Sequence, residues 1–421
     1  MEDKPAGGAE VKTMSAVSTV RVIVTICAVT AAIACAGRQV ELGSGGGATS
    51  PAITATDLRT RLYIYADDSM MGRRIGTVGN RRATDYIEGE VRRMGLEPAG
   101  DSGGFFQTIH PDSTDRFSGH SPPGTARNVV AILRGSDPVL RNEYVAIGAH
   151  NDHIGIRAQP VDYDSLRAFN IAVEKAGAPF WDRRIPADKR AAVRGTIHVN
   201  VDSLRRIRPA HLDSINNGAD DDGSGTVTVL EIAQAMASAP VKPKRSIIFV
   251  WHTGEEAGLL GSRWFTDHPT VPREAIVAQL NMDMVGRGEA IDLPAGGPDY
   301  LQLVGSRRLS TELGDLVQKV NSDRAMPFKF DYQEDADGNP NRIYCRSDHY
   351  SYARYGIPIA FFTTGLHADY HQVTDEPQYI NYDHMKRVAE LVRDVALRVA
   401  NLDHRVAVDK AVTGPAVACV Q

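Results

Sequence analysis

Apolar positions along the chain follow two periods. Across residues 56–95 they recur at helical spacing, most clearly over 83–94, and the pattern stops at Gly95. That spacing predicts an amphipathic helical region with a glycine at its end. Later runs are short, continuous and rich in β-branched residues: 128–133, 144–149, 246–251, 276–284 and 357–363. Runs of this length and continuity predict strands covered on both faces. Helical patterns at 225–237 and 384–400 alternate with them. The alternation predicts an α/β fold, a mostly parallel central sheet flanked by helices on both faces. In such sheets chemistry gathers at the carboxyl ends of the strands.

Outside this body the pattern changes. Arg21 precedes an apolar stretch at 22–34, too short to span a bilayer and suited to a signal h-region. Met14 offers a later start. Ala32-Ile33-Ala34-Cys35 resembles a bacterial lipobox with Ala32 where leucine is more usual, which predicts a lipidated Cys35; the alternatives are an ordinary cleaved signal or an uncleaved anchor. A Gly/Ser-rich tether follows at 43–50. The expected layout is a leader and linker over 1–53, a body over 54–405 and a loosely ordered tail over 406–421. Within the body, residues 156–217 are polar, rich in Asp and Arg, and lack a long period. They are read as an insertion covering one side of the site. The expected location is exported, periplasmic or at the cell envelope, with membrane contact only through the leader or a lipid.

Candidate chemistry lies where the strands stop. Gly254-Glu255-Glu256 follows the run 246–251. Consecutive side chains diverge there, so one carboxylate can hold a metal while its neighbour faces the attacking water. His150 ends the run 144–149, and Asp152, two residues on, can brace its ring. His153 is expected to face away, as a surface residue or a support for the site. Asp220-Asp221-Asp222 opens the helical pattern at 225, and one of the three can bridge two cations. Asp283 is a single acid within an apolar run, a costly placement unless it is paired or metal-bound. Asp369-Tyr370-His371 follows the last strand after Gly365.

These segments, in this order, resemble the M28 family of zinc aminopeptidases and their carboxypeptidase relatives. The resemblance runs from about Leu58 to Val399 and takes in Gly72-Arg73, Arg346-Ser347-Asp348-His349 and Asp375. It implies two zinc ions, with manganese or cobalt as chemically acceptable substitutes. His150 and Asp283 would hold one, Glu256 and His371 the other, and Asp221 would bridge both. Asp221 is taken over Asp220 and Asp222 because it stands four residues before Gly225, as in relatives. Glu255 would be the general base, Asp152 a further catalytic-site residue, and Tyr370 the donor to the tetrahedral oxygen. Two divalent ions against three carboxylates leave one positive charge, which a bridging hydroxide neutralises. The implied activity is a metallo-aminopeptidase that removes N-terminal residues from peptides by metal-activated hydroxide. Alternatives are a carboxypeptidase or dipeptidase of the same family, a glutaminyl-cyclase-like transferase, or a non-catalytic binding module.

Composition narrows the classes further. Formal net charge is −5 over 421 residues with no clustered basic face, so no nucleic-acid partner is expected; the resemblance implies a peptide substrate as the partner. Of four cysteines, Cys345 and Cys419 fall outside the leader and are expected to be free. Arg346 is expected to pair with a nearby acid, with contact to a substrate terminus as the alternative. Gly100-Asp101-Ser102-Gly103-Gly104 mimics a serine-hydrolase motif, but turn residues rather than a strand precede Ser102. Asp335-Ala336-Asp337-Gly338-Asn339 mimics a calcium loop with its glycine at the wrong offset, and is read as a surface turn.

Overall fold

The computed structural model describes residues 49–110, 126–293, 295–412 and 414–421. The leader, lipobox and most of the tether lie outside the described residues. Among the described residues the strands are β1 (Glu97–Pro98), β2 (Phe106–Thr108), β3 (Arg127–Leu133), β4 (Tyr144–His150), β5 (Gly155–Asp162), β6 (Leu212–Asn216), β7 (Ser246–His252), β8 (Ile276–Met282), β9 (Tyr300–Val304), β10 (Lys329–Asp331) and β11 (Ile359–Thr363). The main sheet runs β1-β3-β7-β4-β8-β11-β9-β10, with β2 also on β3. Its four central strands, β7, β4, β8 and β11, are mutually parallel, while β3 and β9 join them antiparallel.

The apolar runs become these strands because each buries both faces, and alternate residues sort into two cores. Val145, Ile147, Ile247, Phe249 and Trp251 pack under the helices Ala55–Tyr65, Val78–Arg93, Gly225–Ser238 and Tyr382–Ala400. Tyr144, Ala146, Ile248 and Val250 face the other way, toward Phe265 and Tyr352 of the short helices Leu260–Asp267 and His349–Ala353. The sheet is thus covered by helices on both faces, and its parallel strand ends open on one side. His150 and His252 stand in register there, and Met282 pairs with Phe362 one step before Asp283.

Several elements depart from the sequence reading. The helical region at 56–95 is two helices separated by a tight turn at Asp68–Arg73. Gly72 sits there at φ +64°, where an added Cβ would come within 2.6 Å of the Asn216 carbonyl oxygen. The polar segment after His153 is not without period. It forms the antiparallel pair β5–β6 and the helices Tyr163–Lys175, Ala187–Thr196 and Val201–Ile207. The last two bury no residue, so no apolar stripe betrays them in the sequence. The described residues past Ala400 form no helix or strand, yet the tail is pinned: Cys419 is disulfide-bonded to Cys345, and Gln421 Nε2 donates to the Glu334 carbonyl at 2.9 Å. The two cysteines are therefore paired, not free. Among the described residues, no helix is long and apolar enough to cross a membrane.

Candidate metal centre and substrate cavity

Three parallel strand ends and two loops deliver the predicted donors to one place. His150 closes β4 and is 1% exposed. Its Nε2 lies 3.2 Å from Asp221 Oδ1 and 3.6 Å from Asp283 Oδ1. Its Nδ1 lies 3.1 Å from the Asp152 carbonyl oxygen and 3.7 Å from Asp152 Oδ1. An Nδ1–H donated to that carbonyl turns the Nε2 lone pair toward the centre. The Asp152 carboxylate instead accepts the Glu255 N–H at 3.1 Å, tying the β4 loop to the β7 loop. Asp152 thus braces His150 mainly through its backbone.

The second half of the centre is built on β7 and the loop after β11. Beyond β7, Gly254 turns the chain at φ +73°, a conformation that favours glycine, and presents Glu255 and Glu256. Glu256 Oε2 lies 2.9 Å from His371 Nε2, and Asp221 Oδ2 lies 3.1 Å from the same nitrogen. Asp221 thus faces both halves, one oxygen to each. Its neighbours are committed elsewhere. Asp220 accepts the Gly286 N–H at 2.7 Å and lies 3.1 Å from His367 Nε2. Asp222 accepts the N–H groups of His150, Gly225 and Met284. Asp222 does fall within 4.8 Å of His150 and Asp283 donors, but its oxygens are occupied by backbone. Asp375, in turn, accepts the N–H groups of Asp220 and Asp221 and holds the whole loop. Arg73, buried, donates to the Gly218 carbonyl at 2.8 Å from the other side.

His153 does not face away, and of its two expected places it takes the second, as a support for the site. It is not a surface residue: it is fully buried, with Nδ1 2.8 Å from Glu256 Oε1. Strand alternation fails as a guide because β4 ends at His150 and the chain then leaves the sheet. Arg346 differs from expectation. It donates to the Tyr370 hydroxyl at 3.1 Å rather than to an acid. The Tyr370 ring is stacked between His371, at 3.9 Å between centroids, and Phe180 of the 155–217 segment, at 6.2 Å. Sequence reasoning missed Ser347, which donates to Asp283 Oδ2 at 2.8 Å and accepts from Asn281. Its signal was available, since it lies within the Arg346–His349 motif. Ser102 is exposed in a short turn, and Asp335 pairs with Arg308 while Asp337 is open to solvent, so neither decoy forms a site.

The electrostatics match a centre shaped for cations. Burial pushes the Glu255 carboxyl well above the usual carboxylate range; Glu256 and Asp283 push the same way and His150 opposes them. Glu256 is held at about 2: burial and Asp221 would raise it, and the His371 and His153 imidazoles outweigh them. His371 is raised to about 11 because Glu256 and Asp221 outweigh the effect of burial. A donor set of imidazoles and carboxylates suits zinc and its borderline neighbours. One geometric sign supports that fit. Asp221 Oδ2 is buried and has no hydrogen-bond partner, although His371 Nε2 lies 3.1 Å away.

Above the centre opens a cavity of about 230 Å³, lined by Asp221, Glu255, Asp283, Tyr370 and His371 on its floor. Glu174, Pro179, Trp181 and Ile185 of the 155–217 segment supply part of the wall.

Comparison with known proteins follows the same line. Residues 202–396 match the model of peptidase family M28. Leucine aminopeptidase 1 of Sclerotinia sclerotiorum is 30% identical over 228 residues, covering 51% of this chain and 54% of that protein. Leucine aminopeptidase 1 of Uncinocarpus reesii is 31% identical over 255 residues, 58% of this chain and 61% of that one. The chain thus spans little more than half the length of these curated relatives. Among solved structures, the Legionella pneumophila LapA aminopeptidase superposes with TM-score 0.53 at 19% identity, over 83% of this chain and 73% of its own. Porphyromonas gingivalis glutaminyl cyclase gives TM-score 0.53 at 19% identity, over 81% and 97%. Such distant structures establish the fold alone, and it is shared by a peptidase and a cyclase. His150 and Asp152 precede the matched residues, so their place in the site rests on geometry. Fold, donor groups and the sequence match point the same way: residues 202–396 of this chain are similar to peptidase family M28.

Proposed function

We propose that this protein is a two-metal aminopeptidase that releases N-terminal residues from peptides. The observation that carries this reading is Asp221, with one oxygen toward His150 and the other toward His371 and Glu256. A carboxylate so placed, between two donor sets, is what a bridging ligand requires. His150 and Asp283 would hold one cation, Glu256 and His371 the other. When bound, the pair would polarise the scissile carbonyl and lower the pKa of the attacking water.

The remaining work falls to the chain's own groups. Glu255 faces the cavity and is not tied down by any side-chain partner among the described residues; it takes the proton of the water and delivers it to the departing amine. Tyr370 accepts from Arg346, so its own proton is free to be donated to the tetrahedral oxygen. Burial keeps that phenol protonated by raising it well above its ordinary value. Ser347 holds Asp283, and His153 holds Glu256, so two of the acids are fixed from behind. A one-metal cyclase-like reading does not need both His150 and Asp283 beside Asp221.

We propose further that the protein is exported. The apolar leader with Cys35 supports this, and so does the Cys345–Cys419 disulfide, since such bonds persist in oxidising compartments.

Paired peptides differing only in an acetylated N-terminus test the activity. The unblocked member should be shortened from its N-terminus and the blocked one left intact, and a chelator should abolish the reaction. Cleavage of the blocked peptide at the same rate, or from its carboxyl end, would overturn the aminopeptidase reading.

A further inference from the structure

Glu174 is an acid of the cavity wall that its surroundings answer only in part: burial outweighs the His367 imidazole and the Ala368 N–H, which favour its ionised form. It lies in the last turn of the helix Tyr163–Lys175, where the helix dipole already disfavours negative charge. It is 7% exposed, and its Oε1 is buried without a hydrogen-bond partner. The acids near it are compensated: Arg287 pairs with Asp292 and Asp369, and Arg167 with Asp369. Glu174 has no ion pair among the described residues. Burying a carboxylate without a cation is costly, and such a position survives when a ligand supplies the missing charge.

The rest of the wall has the same sign. Asp182, Asp331 and Glu334 also line the cavity, against two guanidiniums: Arg184, already shared between Asp182 and Glu334, and Arg346, which donates to the Tyr370 hydroxyl. Beside Glu174, Trp181 offers an aromatic face, and its Nε1 is buried without a partner. Between these polar groups the lining is apolar, with Leu293, Ile343 and Phe361. Apolar walls with an unpaired acid suit a ligand made of an aliphatic stem ending in a cation.

We infer that the cavity is a side-chain pocket for lysine or arginine at the N-terminus of the substrate, with Glu174 receiving the side-chain cation. This rests on the aminopeptidase reading and adds a substrate class to it. Glu174 is a specificity residue and stands apart from the proposed metal donors. Burial holds its carboxyl up at about 7, so an arriving ammonium or guanidinium would favour the ionised form.

The test compares kcat/KM for lysyl, arginyl, norleucyl and leucyl 4-nitroanilides. Norleucine keeps the stem and removes the charge. Lysyl and arginyl substrates should exceed norleucyl by about tenfold or more, since a buried partner left unpaired penalises the uncharged analogue. Glu174→Gln should cut that ratio to within about twofold while leucyl turnover stays near the parent value. Calorimetric binding of lysinamide and norleucinamide to the parent chain decides the same point without turnover. If no anilide is cleaved but lysinamide still binds about tenfold more tightly, the aminopeptidase reading fails and the pocket stands. Equal binding of the two amides, or equal losses for lysyl and leucyl substrates in Glu174→Gln, would overturn the pocket.

Discussion

The floor of the cavity and its wall handle buried acids in opposite ways. On the floor, Asp221, Glu256 and Asp283 each face an imidazole within 3.6 Å, and each is further fixed by backbone or side-chain bonds. On the wall, Glu174 is just as buried and forms no ion pair among the described residues, and the His367 imidazole only partly offsets its burial. The difference teaches where charge is balanced within the fold and where it is left for something that binds. It also separates the parts of the site that must be rigid from those that select.

Ways of breaking this contrast run from the floor outward. The largest effect should come from Glu256→Ala, which leaves His371 and His153 without their shared acid. Metal analysis should show loss of bound cation, and peptide hydrolysis should disappear. Next comes Glu255→Gln, which keeps shape and spares the donors. Cation content should be unchanged while kcat falls by about a hundredfold to ten-thousandfold. Parental turnover in that variant would remove Glu255 from the mechanism. Tyr370→Phe should lower kcat by about a hundredfold with little change in KM, because the hydroxyl is needed only once negative charge develops on the oxygen.

Two smaller effects concern what holds floor and wall together. Cys345→Ser opens a link across 74 residues next to Arg346, and should cost about 2–4 kcal/mol in denaturant unfolding. Glu376, which accepts from Asn217 at 2.9 Å just before the Asp220–Asp222 loop, gives a pH signature. Burial raises its carboxyl to about 8, with Asp375 adding to the shift and Asn217 opposing it. A raised folded-state value means stability is fully present below the unfolded value of about 4.3 and is lost as pH climbs toward 8. Glu376→Gln cannot titrate, so its melting temperature should gain on the parent between pH 5 and pH 8. A constant gap across that range would contradict the assignment.

How much of this could be read in the sequence depended on the kind of signal. Asp283 and the Glu255–Glu256 pair stand out because acids interrupt apolar strands, and strand ends are where a parallel sheet exposes side chains. Choosing Asp221 from three adjacent acids needed the resemblance, and the reason emerges only in three dimensions: Asp220 and Asp222 are consumed by backbone N–H groups and His367. The direction of His153 was misread because the strand rule stops where the strand stops, while its place as a support for the site was among those expected. Glu174 was invisible. Its helix buries Tyr163, Asn170, Val173 and Glu174, a stripe half polar, so periodicity gave no hint of a wall. The disulfide was equally hidden, since nothing local brings residues 345 and 419 to a Cα separation of 5.8 Å.

The central claim is that Asp221 joins two cation sites into one. Titration calorimetry of the chelator-stripped chain with zinc tests it most directly. The account predicts two equivalents per chain for the parent and at most one for Asp221→Asn, with hydrolysis returning only as the parent's second equivalent binds. Saturation of the parent at a single equivalent, with full activity, would contradict it.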